Sequence, residues 1–150
     1  RNRIWLVTPY FVPDDSLLKA LALKARMGCD VRVLVPMRSN HPMADLARGP
    51  ALREICAAGA TLYAYPRIMV HAKAMLFDDT LAITGSPNLD MRSIYLNFEI
   101  ALFHYSPKDI KRTETFIQEL QRASHYMQPD MVSRSRTWAE NFCRLLSPLL

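Results

Sequence analysis

Apolar and polar positions change their period several times along this 150-residue chain. Short runs rich in β-branched and aromatic residues read as strands, and longer stretches with apolar residues three and four apart read as helices. Arg3 to Thr8 has the first strand pattern. Asp14-Asp15-Ser16 then offers capping oxygens to a helix whose Leu17, Leu18, Leu21 and Ala25 share a face, and Gly28 ends it. Asp30 to Val35 reads as a buried strand, Leu52 to Ala58 as a short helix stopped by Gly59, and Thr61 to Tyr65 as another strand. Val70 to Phe77 is a mostly buried strand; Asp78-Asp79-Thr80 turns it, Leu81 to Thr84 returns as a hairpin partner, and Leu96 to Phe103 supplies a third strand. Ser106-Pro107 opens a helix with Phe116, Ile117, Leu120 and Ala123 facing inward. A last helix sets Trp138, Phe142, Leu145 and Leu146 on one side, which we assign to core packing. The alternation predicts an α/β fold with a mixed β-sheet flanked by helices on both faces, and residues 1–150 have the size of one domain.

Chemistry concentrates in the middle of the chain. His71 and Lys73 are two apart on a predicted strand and so share a face, whereas Asp78 has the opposite parity and reads as a scaffold carboxylate first and a chemical one second. The hairpin returns Ser86 and Asn88, in Gly85-Ser86-Pro87-Asn88, towards His71 and Lys73. Glu99 is the candidate carboxylate to orient the imidazole. A neutral imidazole can act as nucleophile or proton carrier, an ammonium can hold a phosphate oxygen, and a hydroxyl and an amide can donate to the equatorial oxygens. This set suits attack on a phosphodiester without a metal or other cofactor. In-line displacement also needs a proton donor on the far side of phosphorus, and one imidazole cannot fill both places. His41, His104 and His125 lack the following lysine and the Gly-Ser-x-Asn turn, so a second copy of the constellation is implied.

The spacing His71-x-Lys73 with Asp78, followed by Gly85-Ser86-x-Asn88, resembles the HKD signature of the phospholipase D superfamily. The flanks resemble bacterial cardiolipin synthases: Thr8-Pro-Tyr-Phe-Val-Pro-Asp14, Asn88-Leu-Asp-Met-Arg-Ser93, Leu96-Asn-Phe-Glu99 and Arg144 to Leu150. The resemblance implies a phospholipase D-like half, the C-terminal half of a longer enzyme with two motifs, completed by missing sequence or by a homodimer partner. It implies transfer of a phosphatidyl group from one phosphatidylglycerol to another through a phosphohistidine, with His71, Lys73 and Asp78 as motif residues and Ser86, Asn88 and Glu99 as downstream active-site positions. The implied location is the inner membrane of a bacterium, with the catalytic part on the cytoplasmic side. Three positions depart from the usual pattern: Asn40 where an aspartate is common, Gly49-Pro50 interrupting a helix, and Pro66-Arg67 before the motif.

Charge and cysteine content narrow the alternatives. The formal charge of +5 is uneven: residues 1–56 carry nine basic and five acidic groups, 57–105 three and four, and 106–150 seven and five. The excess lies outside the catalytic centre and argues for attraction to an anionic membrane surface rather than for a nucleic-acid groove. Cys29, Cys56 and Cys143 are scattered and lack ligand spacing, which argues for reduced thiols and against a metal site. No run is apolar enough to span a bilayer and no signal peptide is visible. Arg92 can reach a phosphate, but a salt bridge with Asp90 or another carboxylate is the simpler expectation. Two other functions stay open: hydrolysis of phospholipid or nucleic acid by the same site, and a non-catalytic half that stabilises a partner.

Overall fold

Strand β1 (Arg3–Val7) lies inside a seven-stranded sheet with both of its faces covered. Leu6 enters one apolar cluster while Trp5 and Val7 enter the other, as the two-residue alternation of a strand requires. A computed structural model describes residues 3–129 and 132–145. On one side β1 pairs in parallel with β3 (Asp30–Pro36), which pairs in parallel with β4 (Thr61–Tyr65). On the other it pairs antiparallel with β5 (Ala74–Phe77), followed outward by antiparallel β6 (Leu81–Gly85) and β8 (Ala101–His104). Strand β9 (His125–Tyr126) closes the opposite edge on β4.

Helices cover both faces, as the sequence predicts. Helix α1 (Asp15–Arg26) sends Leu18, Leu21, Ala22 and Ala25 into the first cluster, where α2 (Pro42–Ala57) adds Ala51, Leu52 and Ile55. Helix α4 (Pro107–Arg122) packs Ile110 and Ile117 on the second face against Leu34, Leu76 and Ala82. Burying a Leu or Ile in either cluster is worth about 1.5–3 kcal/mol. The Asp14 carboxylate caps α1 by accepting from Leu17 N at 3.1 Å, and Gly28 (φ +83°) leaves it in the left-handed region.

Several predicted elements differ in extent or facing. Helix α2 is one unbroken helix of 16 residues, with Pro50 inside it and no interruption at Gly49. A Cβ on Gly49 would lie 2.7 Å from Glu140 Oε1, so the bare backbone there is what seats α5 (Arg134–Leu145). Glu140 is fully buried and pairs with Arg53 and Arg136, and Cys143 is buried beside it. That ion cluster sets the facing of α5 against expectation: Trp138, Phe142 and Leu145 point outward rather than into the core. Leu146 lies outside the described residues. In α4, Phe116 is exposed and Thr113, Glu114 and Gln121 are buried with Ile117. The polar trio is tolerated because Thr113 donates to Asp109 O at 3.0 Å, Glu114 accepts from Arg3 and Lys111, and Gln121 accepts from Arg32 at 3.2 Å. The strand predicted from Val70 is paired only from Ala74, and the one predicted from Leu96 only from Ala101.

Candidate active site

The hairpin register brings the predicted chemistry together. Ala74 faces Thr84 across the antiparallel pair, so the chain just before β5 lies against the chain just after β6. His71 and Lys73 belong to the first of these segments, Ser86 and Asn88 to the second. The site therefore sits beyond the carboxyl ends of the parallel strands β1, β3 and β4, the usual place for a ligand site in α/β folds.

Close approach of backbones fixes the hydroxyl. A Cβ on Gly85 would fall 2.1 Å from Ile100 O and 2.9 Å from Ala101 Cα, so only glycine lets β8 come this near. Ser86 N then donates to Ile100 O at 2.9 Å, and Ile100 N donates to Ser86 Oγ at 2.9 Å. The same hydroxyl donates to Glu99 Oε2. Glu99 thus holds Ser86, and among the described residues no hydrogen bond joins it to the His71 ring.

His71 is instead held by Lys73. The ammonium lies 3.0 Å from Nδ1 and 3.1 Å from Nε2 and also donates to His71 O at 3.0 Å. Desolvation first, and then the Lys73 charge, hold the imidazole pKa below its ordinary value, which favours the neutral ring. Desolvation likewise lowers Lys73, against the pull of Glu99 and Asp90. The Ser86 hydrogen bond, the leading favourable cause, keeps Glu99 below the usual carboxylate range.

Asp78 stands apart from this group. It follows β5 at the far end of the strand from His71, with φ 51°, and its Oδ1 accepts from Arg3 N at 2.6 Å. Four paired residues at about 3.3 Å each keep it more than about 10 Å from the imidazole. Its position is that of a tether between β5 and the start of β1.

Residues outside the motif complete the wall. Thr8, buried, donates to Tyr10 O at 2.8 Å and accepts from Leu89 N at 3.3 Å. This stitches β2 (Phe11–Val12) in parallel to β7 (Leu89–Asp90), a pair too short to show in the hydrophobic pattern. Tyr10 then stands edge-on to His71, with ring centroids 6.5 Å apart, and to His41 at 5.7 Å. The Tyr10 hydroxyl donates to Asn40 Oδ1, which gives the Asn40 departure a contact beside the site. Helix α3 (Met91–Tyr95) follows β7, capped by the Asp90 carboxylate accepting from Ser93 N at 2.8 Å.

The loop bearing Asn40 and His41 is shaped by Arg48. This buried guanidinium donates to Pro36 O at 2.8 Å and Met37 O at 2.9 Å and pairs with Asp45 at 3.1 Å. Asp45 in turn accepts from Ser39 N at 2.9 Å. A cation within the buried stripe Ala44, Ala47, Ala51, Ile55 of α2 was the signal for it in the sequence. Arg48→Met strands two carbonyls and a carboxylate, and is expected to cost about 3 kcal/mol. Differential scanning calorimetry should record this as a fall of roughly 10 °C in Tm.

Comparisons with known proteins bear on the fold and family. Residues 1–123 match the family model described as cardiolipin synthase, PLD-like domain. A cardiolipin synthase of Halalkalibacterium halodurans is 37% identical over 155 residues, covering 100% of this chain and 30% of that protein. Cardiolipin synthase 1 of Bacillus cereus is 39% identical with the same coverage. The chain therefore spans about a third of the length of these curated relatives. Among solved structures, Nuc from Salmonella typhimurium, a phospholipase D family member, superposes with TM-score 0.73 at 22% identity, covering 84% of this chain and 82% of that one. Phosphatidylserine synthase of Haemophilus influenzae gives TM-score 0.74 at 17% identity, covering 100% and 42%. At such identities these two likenesses speak for the fold alone.

Proposed function

The chain belongs to the family described as cardiolipin synthase, PLD-like domain, and from that premise we propose that it is one motif-bearing half of a phosphatidyltransferase. The reaction joins two phosphatidylglycerol molecules into cardiolipin and releases glycerol. The observation that carries this reading is the contact of Lys73 with His71 beside Ser86 and Asn88. The imidazole of one motif attacks phosphorus, the bond to the glycerol oxygen breaks, and the imidazole of the other motif protonates that oxygen. The hydroxyl of a second phosphatidylglycerol then takes the phosphatidyl group from the phosphohistidine. Lys73 and Asn88 hold the phosphate oxygens, Ser86 fixes the turn with Glu99, and Asp78 anchors the strand.

An apolar surface supports a second half. Ile94, Leu96, Phe98, Ile100, Leu102 and Phe103 are all exposed along the edge strand β8 and the segment leading into it, next to Ser86 and Glu99. Bare apolar edges of this kind are normally covered. The occupant we assign is the other motif-bearing half, because it supplies the missing imidazole and because most of the relatives' length lies beyond the matched segment. The substrate is a lipid, so the catalytic face works at a membrane surface, on the cytoplasmic side of a bacterial inner membrane. No helix of the described residues is long and apolar enough to cross a membrane.

The test is product identity. The complete protein is incubated with labelled phosphatidylglycerol in mixed micelles without added divalent metal. Cardiolipin with free glycerol supports transfer; phosphatidic acid as the sole product assigns hydrolysis instead.

The Lys73 contact also predicts a pH effect. A cation beside an imidazole disfavours its protonation, so removing it lets the pKa rise towards the ordinary value of about 6.5. In Lys73→Met the limb of the kcat/KM profile governed by His71 moves to higher pH, and the maximum rate falls by about 100-fold or more. A limb that stayed in place would show that Lys73 does not bear on the titration.

A further inference from the structure

We propose that Arg92 and the cavity it lines bind the phosphodiester of the acceptor lipid, an assignment that rests on the transfer reaction above. The cavity, of ≈ 220 Å³, is lined by Tyr10, His41, Asn88, Asp90, Arg92 and Asn97 over an apolar floor of Val12 and Ala44. It adjoins the catalytic group directly: Asn88 belongs to both, and Tyr10 has its ring edge-on to His71. Its small volume and the polar side chains that line it suit a headgroup rather than an acyl chain.

Arg92 is exposed, and no hydrogen bond or ion pair among the described residues engages its guanidinium. The expected bridge to Asp90 does not form, because Asp90 turns its Oδ1 to the backbone of α3. A cation is thereby left facing the cavity beside a carboxylate that does not neutralise it by contact. A second observation points the same way: Asn88 Oδ1 is buried without a hydrogen-bond partner, an acceptor at the boundary between the cavity and the catalytic group. Buried acceptors are normally satisfied, and a ligand hydroxyl would satisfy this one.

The chemistry of the acceptor matches these groups. A phosphatidylglycerol acceptor brings a glycerol hydroxyl and, three carbons away, a phosphodiester anion of its own. During transfer two phosphates must lie within one glycerol length of each other, and Lys73 serves only the first. Arg92 offers the second a planar fork suited to phosphate oxygens. Asn88 Oδ1 and the free oxygen of Asp90 accept from the glycerol hydroxyls and aim one at phosphorus. That hydroxyl oxygen bonds to phosphorus, the phosphorus–nitrogen bond to the imidazole breaks with its electron pair returning to the ring, and the hydroxyl proton passes to the other motif's imidazole. Water or free glycerol carries no second anion and makes no use of Arg92.

The test exploits that difference. The complete protein in phosphatidylglycerol micelles receives labelled free glycerol, so that cardiolipin formation and incorporation of label into phosphatidylglycerol compete within one sample. In Arg92→Gln the ratio of the first to the second falls at least tenfold, and Arg92→Lys restores part of it. Because both products come from the same enzyme molecules, a loss of folded protein leaves the ratio unmoved. A ratio within twofold of the parent's overturns the assignment while leaving the transfer reaction standing. A parent protein that makes no cardiolipin overturns both.

Discussion

His71→Ala is expected to lower cardiolipin formation by at least about 10⁴-fold while the protein stays folded. Removing a group that forms the covalent intermediate, or that delivers its proton, forfeits a whole pathway rather than one contact, and losses of this order follow in enzymes that work by covalent catalysis. The fold has little at stake. His71 is exposed, precedes the paired part of β5, and its ring nitrogens are met only by Lys73 among the described residues. Substitutions at such positions shift stability by about 0.5 kcal/mol, so Tm should move by no more than about 2 °C. Activity would be followed with labelled phosphatidylglycerol and Tm by calorimetry on the same preparation. Turnover by the variant at even a tenth of the parental rate would remove His71 from the mechanism.

Gly85→Ala is expected to damage both stability and activity, for a steric reason. The new Cβ meets backbone, Ile100 O at 2.1 Å and Ala101 Cα at 2.9 Å, and backbone in a paired strand cannot rotate away as a side chain can. Strand β8 must retreat from β6 by about 1 Å, breaking the exchange between Ser86 and Ile100 and freeing Glu99 from the hydroxyl. Overpacking of this kind costs about 3 kcal/mol, and a 1 Å displacement near reacting groups costs about 100-fold in rate. Gly28→Ala is the informative control. Its added Cβ meets nothing within 4 Å, yet φ +83° strains it. It should cost about 1–2 kcal/mol and leave kcat alone. Equal effects at the two glycines would show that the approach of β8 is not what the site requires.

Sequence patterns revealed the parts of this molecule that local spacing controls. Two residues on one strand share a face and a hairpin reverses the chain, so His71, Lys73, Ser86 and Asn88 could be gathered from parity and a turn. The mixed sheet with helices on both faces followed from the same alternation. What escaped depends on contacts distant in the chain. Thr8 and Arg48 matter because of which backbone groups come to lie beside them, and nothing local distinguishes the first of these from an ordinary strand end. The hydrogen bond from Ser86 to Glu99 depends on where β8 crosses β6, which spacing along the chain does not give. Helix α5 shows the limit most plainly. Its amphipathic period was readable, but Arg53, 87 residues earlier, drew Glu140 inward and turned Trp138, Phe142 and Leu145 outward.

The position of Asp78 has a mechanical consequence. Strand β5 behaves as a short rigid rod, with the aspartate gripping the first residue of β1 at one end and the reactive imidazole riding just past the other. Loosening the grip would swing the tip. Distance from the reacting phosphate is therefore no protection: a lesion at the anchored end reaches the chemistry as an aiming error, through leverage rather than touch.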